Sequence, residues 1–342
     1  MDCETTTLPF SNTSENATEY SYYDYDGDLV IMGKNESQTF GGTFSGVLYS
    51  LVFCLSLTGN TFLLWALLRH EDLRKTTNLF LLQLTISDLL LTSSLPFWAV
   101  YHLHEWVFGA LACHFAVGAF FLGFYSYMLF LTAMTVDRYI AVVHALSAMR
   151  ARTLRCFKLT SAMLWAISVA ASVPEAFFSQ TRVSHDGTLC EASSRPLAWE
   201  LLGYYLQILL FFLLPFTVIL FCYARIWATI SRCRSGKRHR VVRLIFFIVA
   251  VFFVCWAPYN IVLFLSSLTL LGWDALQSLE YAYYVCHSLA YCHCFLNPAF
   301  HIFGGGKFWK YLSGRRLSIR SPWSQPSQSS GHRASTSHHT YV

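Results

Sequence analysis

Asp137, Arg138 and Tyr139 stand where the third long apolar stretch of the chain runs into the basic segment from Arg150 to Arg155. Ionisable groups beside hydrocarbon are costly and usually functional, so an acid and a base held together there read as an electrostatic latch between conformations. An arginine that merely snorkels to the interface is the plainer alternative. A second charged device lies near the amino end, where Tyr20, Tyr22, Tyr23 and Tyr25 interleave with Glu19, Asp24, Asp26 and Asp28. That segment is too polar to fold alone, and its charge suits long-range attraction of a cationic partner; a solubilising leader is the alternative. Asp88 is an acid at mid-membrane depth, with Glu175 and Glu280 nearer one edge. Catalytic patterns are missing: His104-Glu105 is followed by Trp106, Val107 and Phe108, which breaks the zinc-protease spacing. Gly304-Gly305-Gly306-Lys307 lacks the spacing and the Ser/Thr of a phosphate loop and reads as a hinge. Cys292-His293-Cys294 offers metal-binding groups, but helix neighbours point in different directions, so neither metal nor cofactor is expected. An enzyme is not indicated.

The elements that must hold these groups are membrane helices. Hydrophobic residues make up 55% of the 342, aromatic ones 17% and charged ones only 13%, against about a quarter charged in soluble domains. A hydrocarbon core of about 30 Å takes about 20 apolar residues per helix. Stretches near 44–68, 77–101, 110–136, 158–179, 200–228, 241–270 and 280–303 meet that need. The expectation is an all-α membrane protein, a seven-transmembrane helix bundle over 44–303. Arg69, Arg74, Lys75, Arg150, Arg152, Arg155, Arg232, Arg234 and the bases from Lys237 to Arg240 lie on one side, while Lys34, Arg182 and Arg195 lie on the other. The amino terminus is therefore expected outside and the carboxyl terminus in the cytoplasm. The net charge of +5 reflects this inner belt and not nucleic-acid binding.

Met1 to Phe10 is polar and has no apolar core, so the first helix is expected to act as signal-anchor and to export a disordered leader, 1–43. Sequons at Asn12, Asn16 and Asn35 agree with that placement. Among the 11 cysteines, topology leaves Cys3, Cys113 and Cys190 in oxidising territory. A Cys113–Cys190 disulfide is expected, tying the loop between helices four and five across the bundle mouth, and Cys3 is left over. The other eight read as small packing residues. A transporter would also be a polytopic bundle, but paired halves and a mid-membrane ionisable path are not visible.

Taken in order, Gly59-Asn60, Leu84 with Ser87-Asp88, Asp137-Arg138-Tyr139, Trp165, Pro215 with Tyr223, Cys255-Trp256-Ala257-Pro258 and Asn297-Pro298 fall one set to a helix. The chain resembles rhodopsin-like G-protein-coupled receptors over roughly residues 40 to 315. Asp137 to Ala145, Trp106-Val107-Phe108-Gly109 and His293-Cys294 before Leu296-Asn297-Pro298 resemble the chemokine receptors among them. Thr153 to Cys156, Arg234 to Arg240 and Leu279 to Ala282 look most like the XC-type, or lymphotactin, branch.

That resemblance implies a plasma-membrane receptor for a basic extracellular chemokine, acting through a heterotrimeric G protein of the inhibitory class and through arrestin, in leukocyte chemotaxis. It implies sulfation of the leader tyrosines and ligand contacts at Tyr20, Tyr22, Tyr23, Asp24, Tyr25, Asp26, Trp98, Phe120, Tyr259, Glu280 and His287. The activation switch would comprise Asp137, Arg138, Tyr139, Tyr223, Trp256, Pro258, Asn297 and Pro298, with helix six pivoting at Pro258. Residues 304–317 are expected to form a short interfacial eighth helix against membrane lipid. A Ser-rich disordered tail, 318–342, could carry phosphates for arrestin. Four departures stand out: His287 where the family usually has Glu, His301 where its seventh-helix motif has Tyr, Tyr127 in a small-residue position of the sodium pocket beside Asp88, and no cysteine in 271–278 to pair with Cys3. A scavenging receptor with arrestin or internalisation output only, or a receptor for another peptide, is the alternative.

Overall fold

The computed structural model describes residues 36–144, 153–184, 187–231, 236–272 and 279–301, with 36–41, 236–245 and 280–281 as backbone only. The leader tyrosines, acids and sequons, Cys3, the eighth helix, the tail and the side chain of Glu280 lie outside the described residues. Helices run α1 (Glu36–His70), α2 (Thr76–Leu103), α3 (Gly109–Val143) and α4 (Leu154–Phe177). A hairpin of β1 (Ser179–Ser184) and β2 (Gly187–Ala192) follows, then α5 (Leu197–Ile230), α6 (Gly236–Leu270) and α7 (Leu279–Ala299). Six of these helices are long and apolar enough to cross a membrane. The seventh, α7, is not among them; it carries the buried polar residues Ser288, His293 and Asn297, with His287 half-buried beside them.

Local chemistry explains the boundaries. Before α2, the Asp72 carboxylate accepts from Arg74 N at 3.0 Å, and Asn78 Nδ2 donates to Asp72 O and Glu71 Oε2 at 3.0 and 3.2 Å. These bonds tie the short turn between α1 and α2. Thr153 caps α4 by accepting from Cys156 N at 3.2 Å. Within α5, five residues, Leu209–Leu213, take a π turn just before Pro215. Proline cannot donate to the residue four before it, and the wider turn absorbs that defect. Gly109, in the left-handed region at φ 78°, starts α3 where a side chain would be strained.

Helix α3 is the central column, packed on α2, α4 and α5, while α1 lies between α2 and α7 and α6 lies on α7. Small and polar residues set the closest approaches, as they must where lipid offers no competing hydrophobic drive. A Cβ on Gly123 would stand 2.6 Å from Leu91 N, so α2 and α3 touch backbone to backbone there. Ser126 Oγ donates to Ser87 Oγ at 2.8 Å, and Ser56 and Thr92 share a 2.6 Å hydroxyl contact. Trp165 Nε1 reaches Gln83 Oε1 at 2.9 Å, fixing α4 to α2. The hairpin lies over the outer end of α3, held by the Cys113–Cys190 disulfide, as expected from topology. Trp106, buried at 2% exposure, plugs the space beneath it, donating from Nε1 to Gly109 O at 2.9 Å.

Candidate functional site

The end of the bundle beneath the hairpin closes around His287 of α7. Tyr49 Oη and His287 Nδ1 are 3.1 Å apart, and the rings of Phe120, Tyr259 and Tyr283 lie 5.3 to 5.4 Å from the imidazole. Tyr291 meets it edge-on at 5.0 Å. His287 is therefore held by one hydroxyl partner and four aromatic walls. His102 continues the cluster, 5.3 Å from Tyr49 and 5.6 Å from Tyr284. Trp98 belongs to a neighbouring group: its ring contacts are Tyr101 and Trp106, at 6.1 and 5.8 Å, under the disulfide.

Trp256, wholly buried, forms the pocket's floor. Phe124 stacks on it at 4.0 Å, Phe252 at 5.8 Å, and Phe120 leans on it from above at 6.1 Å. Its indole N–H donates to His293 Nδ1 at 3.1 Å. His293 Nε2 in turn lies 3.3 Å from Asp88 Oδ1, while Asn297 Nδ2 donates to Asp88 Oδ2 at 2.9 Å. Asn60 Nδ2 donates to Cys294 O at 2.8 Å, bringing α1 into the same group. Tyr127 fills the space beside these residues, stacked on Phe252 at 5.1 Å and edge-on to His293 at 5.0 Å.

At the end of the bundle away from the hairpin, Arg138 Nη2 and Nε both reach Asp137 Oδ2, and the two side chains are only 14% and 10% exposed. The adjacent Tyr139 hydroxyl meets His144 Nε2 at 3.1 Å. Tyr223 packs edge-on against Phe246 at 5.6 Å, and Phe300 stacks on Phe247 at 6.5 Å, so α6 is clasped from both sides. His301 is buried at 7% exposure.

Comparison with known proteins places the chain in a family. The 7 transmembrane receptor (rhodopsin family) model matches residues 59–301, which contains every group just described from Asn60 to His301 except Tyr49. The chain belongs to that family. Chemokine XC receptor 1 of Homo sapiens is 40% identical to this receptor over 306 residues, covering 88% of this chain and 89% of the relative. C-C chemokine receptor type 4 of Homo sapiens is 38% identical over 311 residues, with 88% and 86% covered, and C-C chemokine receptor type 8 of Homo sapiens 37% over 319, with 90% and 87%. The receptor thus stands among the chemokine receptors, a family of membrane-spanning receptors and not of enzymes.

The structure brings several of the residues singled out in the sequence into contact. Phe120, Tyr259 and His287 meet in one pocket; Trp256 lies below them; Asp88 and Asn297 are joined; Asp137 and Arg138 are paired. Trp98 is directed to the outer plug and makes no ring contact with His287. Missed were Tyr49, His102, Tyr283 and Tyr291, which surround His287, and the junction role of His293. The signal for the tyrosines was present in their spacing: Tyr283, His287 and Tyr291 recur every fourth residue, one stripe of a helix. Tyr49 carries no such mark, because its partner is 238 residues away.

Proposed function

We propose that this receptor sits in the plasma membrane with its amino end outside, binds a basic chemokine there, and passes the event to a G protein of the inhibitory class. The observation that carries this reading is the unbroken contact path from His287 through Phe120, Trp256 and His293 to Asp88 and Asn297. A ligand that binds the rearranged pocket better than the resting one shifts the population toward the rearranged bundle. Leader tyrosines 20, 22, 23 and 25 with the neighbouring acids supply the first, electrostatic contact, strengthened by sulfation. Glycans sit on Asn12, Asn16 and Asn35. His287, Phe120, Tyr259, Glu280 and Trp98 serve the second contact.

Motion of α6 about Pro258 beneath Trp256 then frees Arg138 from Asp137 toward Tyr223 and opens the cytoplasmic face, with Tyr139, Asn297 and Pro298 shaping the hinge region. An XC-type ligand is favoured, because a relative bearing that name is 40% identical across nearly the whole chain. Arrestin engages the phosphorylated tail, and the segment 304–317 rests on membrane lipid.

A panel of chemokines applied to cells expressing the receptor, reading inhibitory G-protein activation and arrestin recruitment in parallel, tests this. An XC-type ligand should drive both at lower concentration than C-C ligands. Internalisation of ligand with no G-protein output would instead establish a scavenging receptor; Asp137-Arg138-Tyr139 favours signalling over that reading, and His301, by removing a seventh-helix phenol, weakens the preference. Silence to every chemokine but response to another peptide would overturn the ligand class.

A further inference from the structure

We propose that Glu175 is a cation-accepting subsite at the hairpin end of the bundle, and that Arg195 occupies it in the resting receptor as a built-in stand-in for the ligand's basic group. Arg195 Nη2 lies 3.4 Å from Glu175 Oε2, and the two side chains are 15% and 23% exposed. The pair joins the last turn of α4 to the short link between β2 and α5. That link is fixed on both sides of Arg195: Ser193 N donates to Phe178 O at 2.6 Å, and Pro196 stands immediately before α5. Its main chain is thus anchored, while the long side chain can swing.

The contact is poor for two opposite charges so sheltered. One nitrogen meets one oxygen near the limit of a hydrogen bond, where a guanidinium can give a carboxylate two parallel bonds of about 2.7–2.9 Å. Arg195 Nε is buried without a partner, and among the described residues Glu175 Oε1 has no hydrogen-bond partner either. Opposite Oε1, α5 presents Gly203, where even a Cβ would stand 3.7 Å away. The carboxylate is therefore half-used, with room at its free oxygen. The guanidinium also lies over the Phe178 ring, 4.5 Å from its centre, and that cation–π contact can stay with Arg195 when it leaves Glu175.

Glu175 addresses the bundle and not lipid. Its charge reaches the phenols of Tyr125 on α3 and Tyr259 on α6, and Tyr259 is one of the rings around His287. The described walls of that pocket are aromatic rings and imidazole, with no carboxylate among them. An ammonium or guanidinium entering there finds its counter-charge at Glu175 once Arg195 has moved aside. Because the two cations compete for one carboxylate, apparent affinity falls with the fraction of receptor in which Glu175 is free. That the entering cation belongs to a basic chemokine rests on the function proposed above; the subsite is tested without it.

Purified full-length receptor and its variants are heated with and without millimolar methylguanidinium. The free cation should raise the unfolding temperature of Arg195→Ala by filling the place of the lost side chain, and should leave the parent unchanged. Neither Arg195→Ala combined with Glu175→Gln, nor Arg182→Ala, which removes a charge from the hairpin, should respond. Arg195→Gln, which keeps a side-chain stem on Phe178, replaces Arg195→Ala if that variant does not fold. An XC-type chemokine should bind Arg195→Ala about fivefold more tightly than the parent, and the gain should vanish in the Glu175→Gln background. An equal gain in both backgrounds, or an equal response of Arg182→Ala to methylguanidinium, would overturn the proposal as a general effect of removing positive charge. Rescue by methylguanidinium with no chemokine binding to any variant would uphold the subsite and sink the ligand class; chemokine binding without coupling between Arg195 and Glu175 would do the reverse.

Discussion

Tyr127 shows how one residue rewrites a cavity. A small residue there would leave room beside Asp88 for a hydrated cation; the phenol instead occupies that space between Phe252 and His293. Sodium is therefore expected to modulate agonist affinity weakly or not at all. Binding of the agonist identified by the chemokine panel, measured with sodium and with a bulky organic cation, checks this. A strong sodium effect abolished by Asp88→Asn would refute it, while Tyr127→Ser should create a sodium effect absent from the parent. His301 is the second informative substitution. Buried at the inner end of α7, it offers an imidazole where the relatives' motif, as the resemblance implies, has a phenol reaching toward Tyr223. His301→Tyr should raise maximal G-protein activation with little change in ligand affinity; an unchanged maximum would show that the phenol is dispensable here.

At the level of helices, a contact of backbone on backbone is the most vulnerable. Gly123 admits Leu91 at backbone distance, and a methyl group there must push α2 and α3 apart. Overpacking of this kind costs about 1–3 kcal/mol, so Gly123→Ala should lower the unfolding temperature of the purified receptor, whereas an alanine at Gly109 would act through the strained backbone of the loop alone. The helices themselves were legible in the sequence, because about 20 apolar residues in a row have few alternatives to crossing a membrane. What was not legible were the distances between them. Gly59-Asn60 announced itself as a motif, yet nothing in the linear text says that Gly59 meets Pro298 or that Asn60 bonds Cys294 O, 234 residues on. Periodicity reports which face of a helix is buried; it is silent on which partner buries it. The π turn before Pro215 was missed for a related reason, since proline signals a defect but not how the chain absorbs it.

For the molecule as a two-state device, we propose that the Asp137–Arg138 pair sets the resting bias. Both side chains are largely sheltered but not dry, and a pair in that setting is worth about 1 kcal/mol, a shift of roughly fivefold in a two-state ratio. Asp137→Asn should accordingly raise basal G-protein signalling severalfold without added ligand; unchanged basal output in a receptor that still responds to agonist would mean the pair only positions Tyr139. The α2–α3 seam has a further consequence. Backbone contact at Gly123, the Ser126–Ser87 bond and the Trp165–Gln83 bond lock α2, α3 and α4 into one block, whereas α6 is held against its neighbours largely by aromatic rings that can slide. We propose that the receptor works as a stator and a rotor: α2, α3 and α4 keep their register while α6 turns against them. Amide hydrogen exchange should find the slowest protons around Gly123 and Leu91, with agonist changing exchange in α6 and leaving that seam untouched.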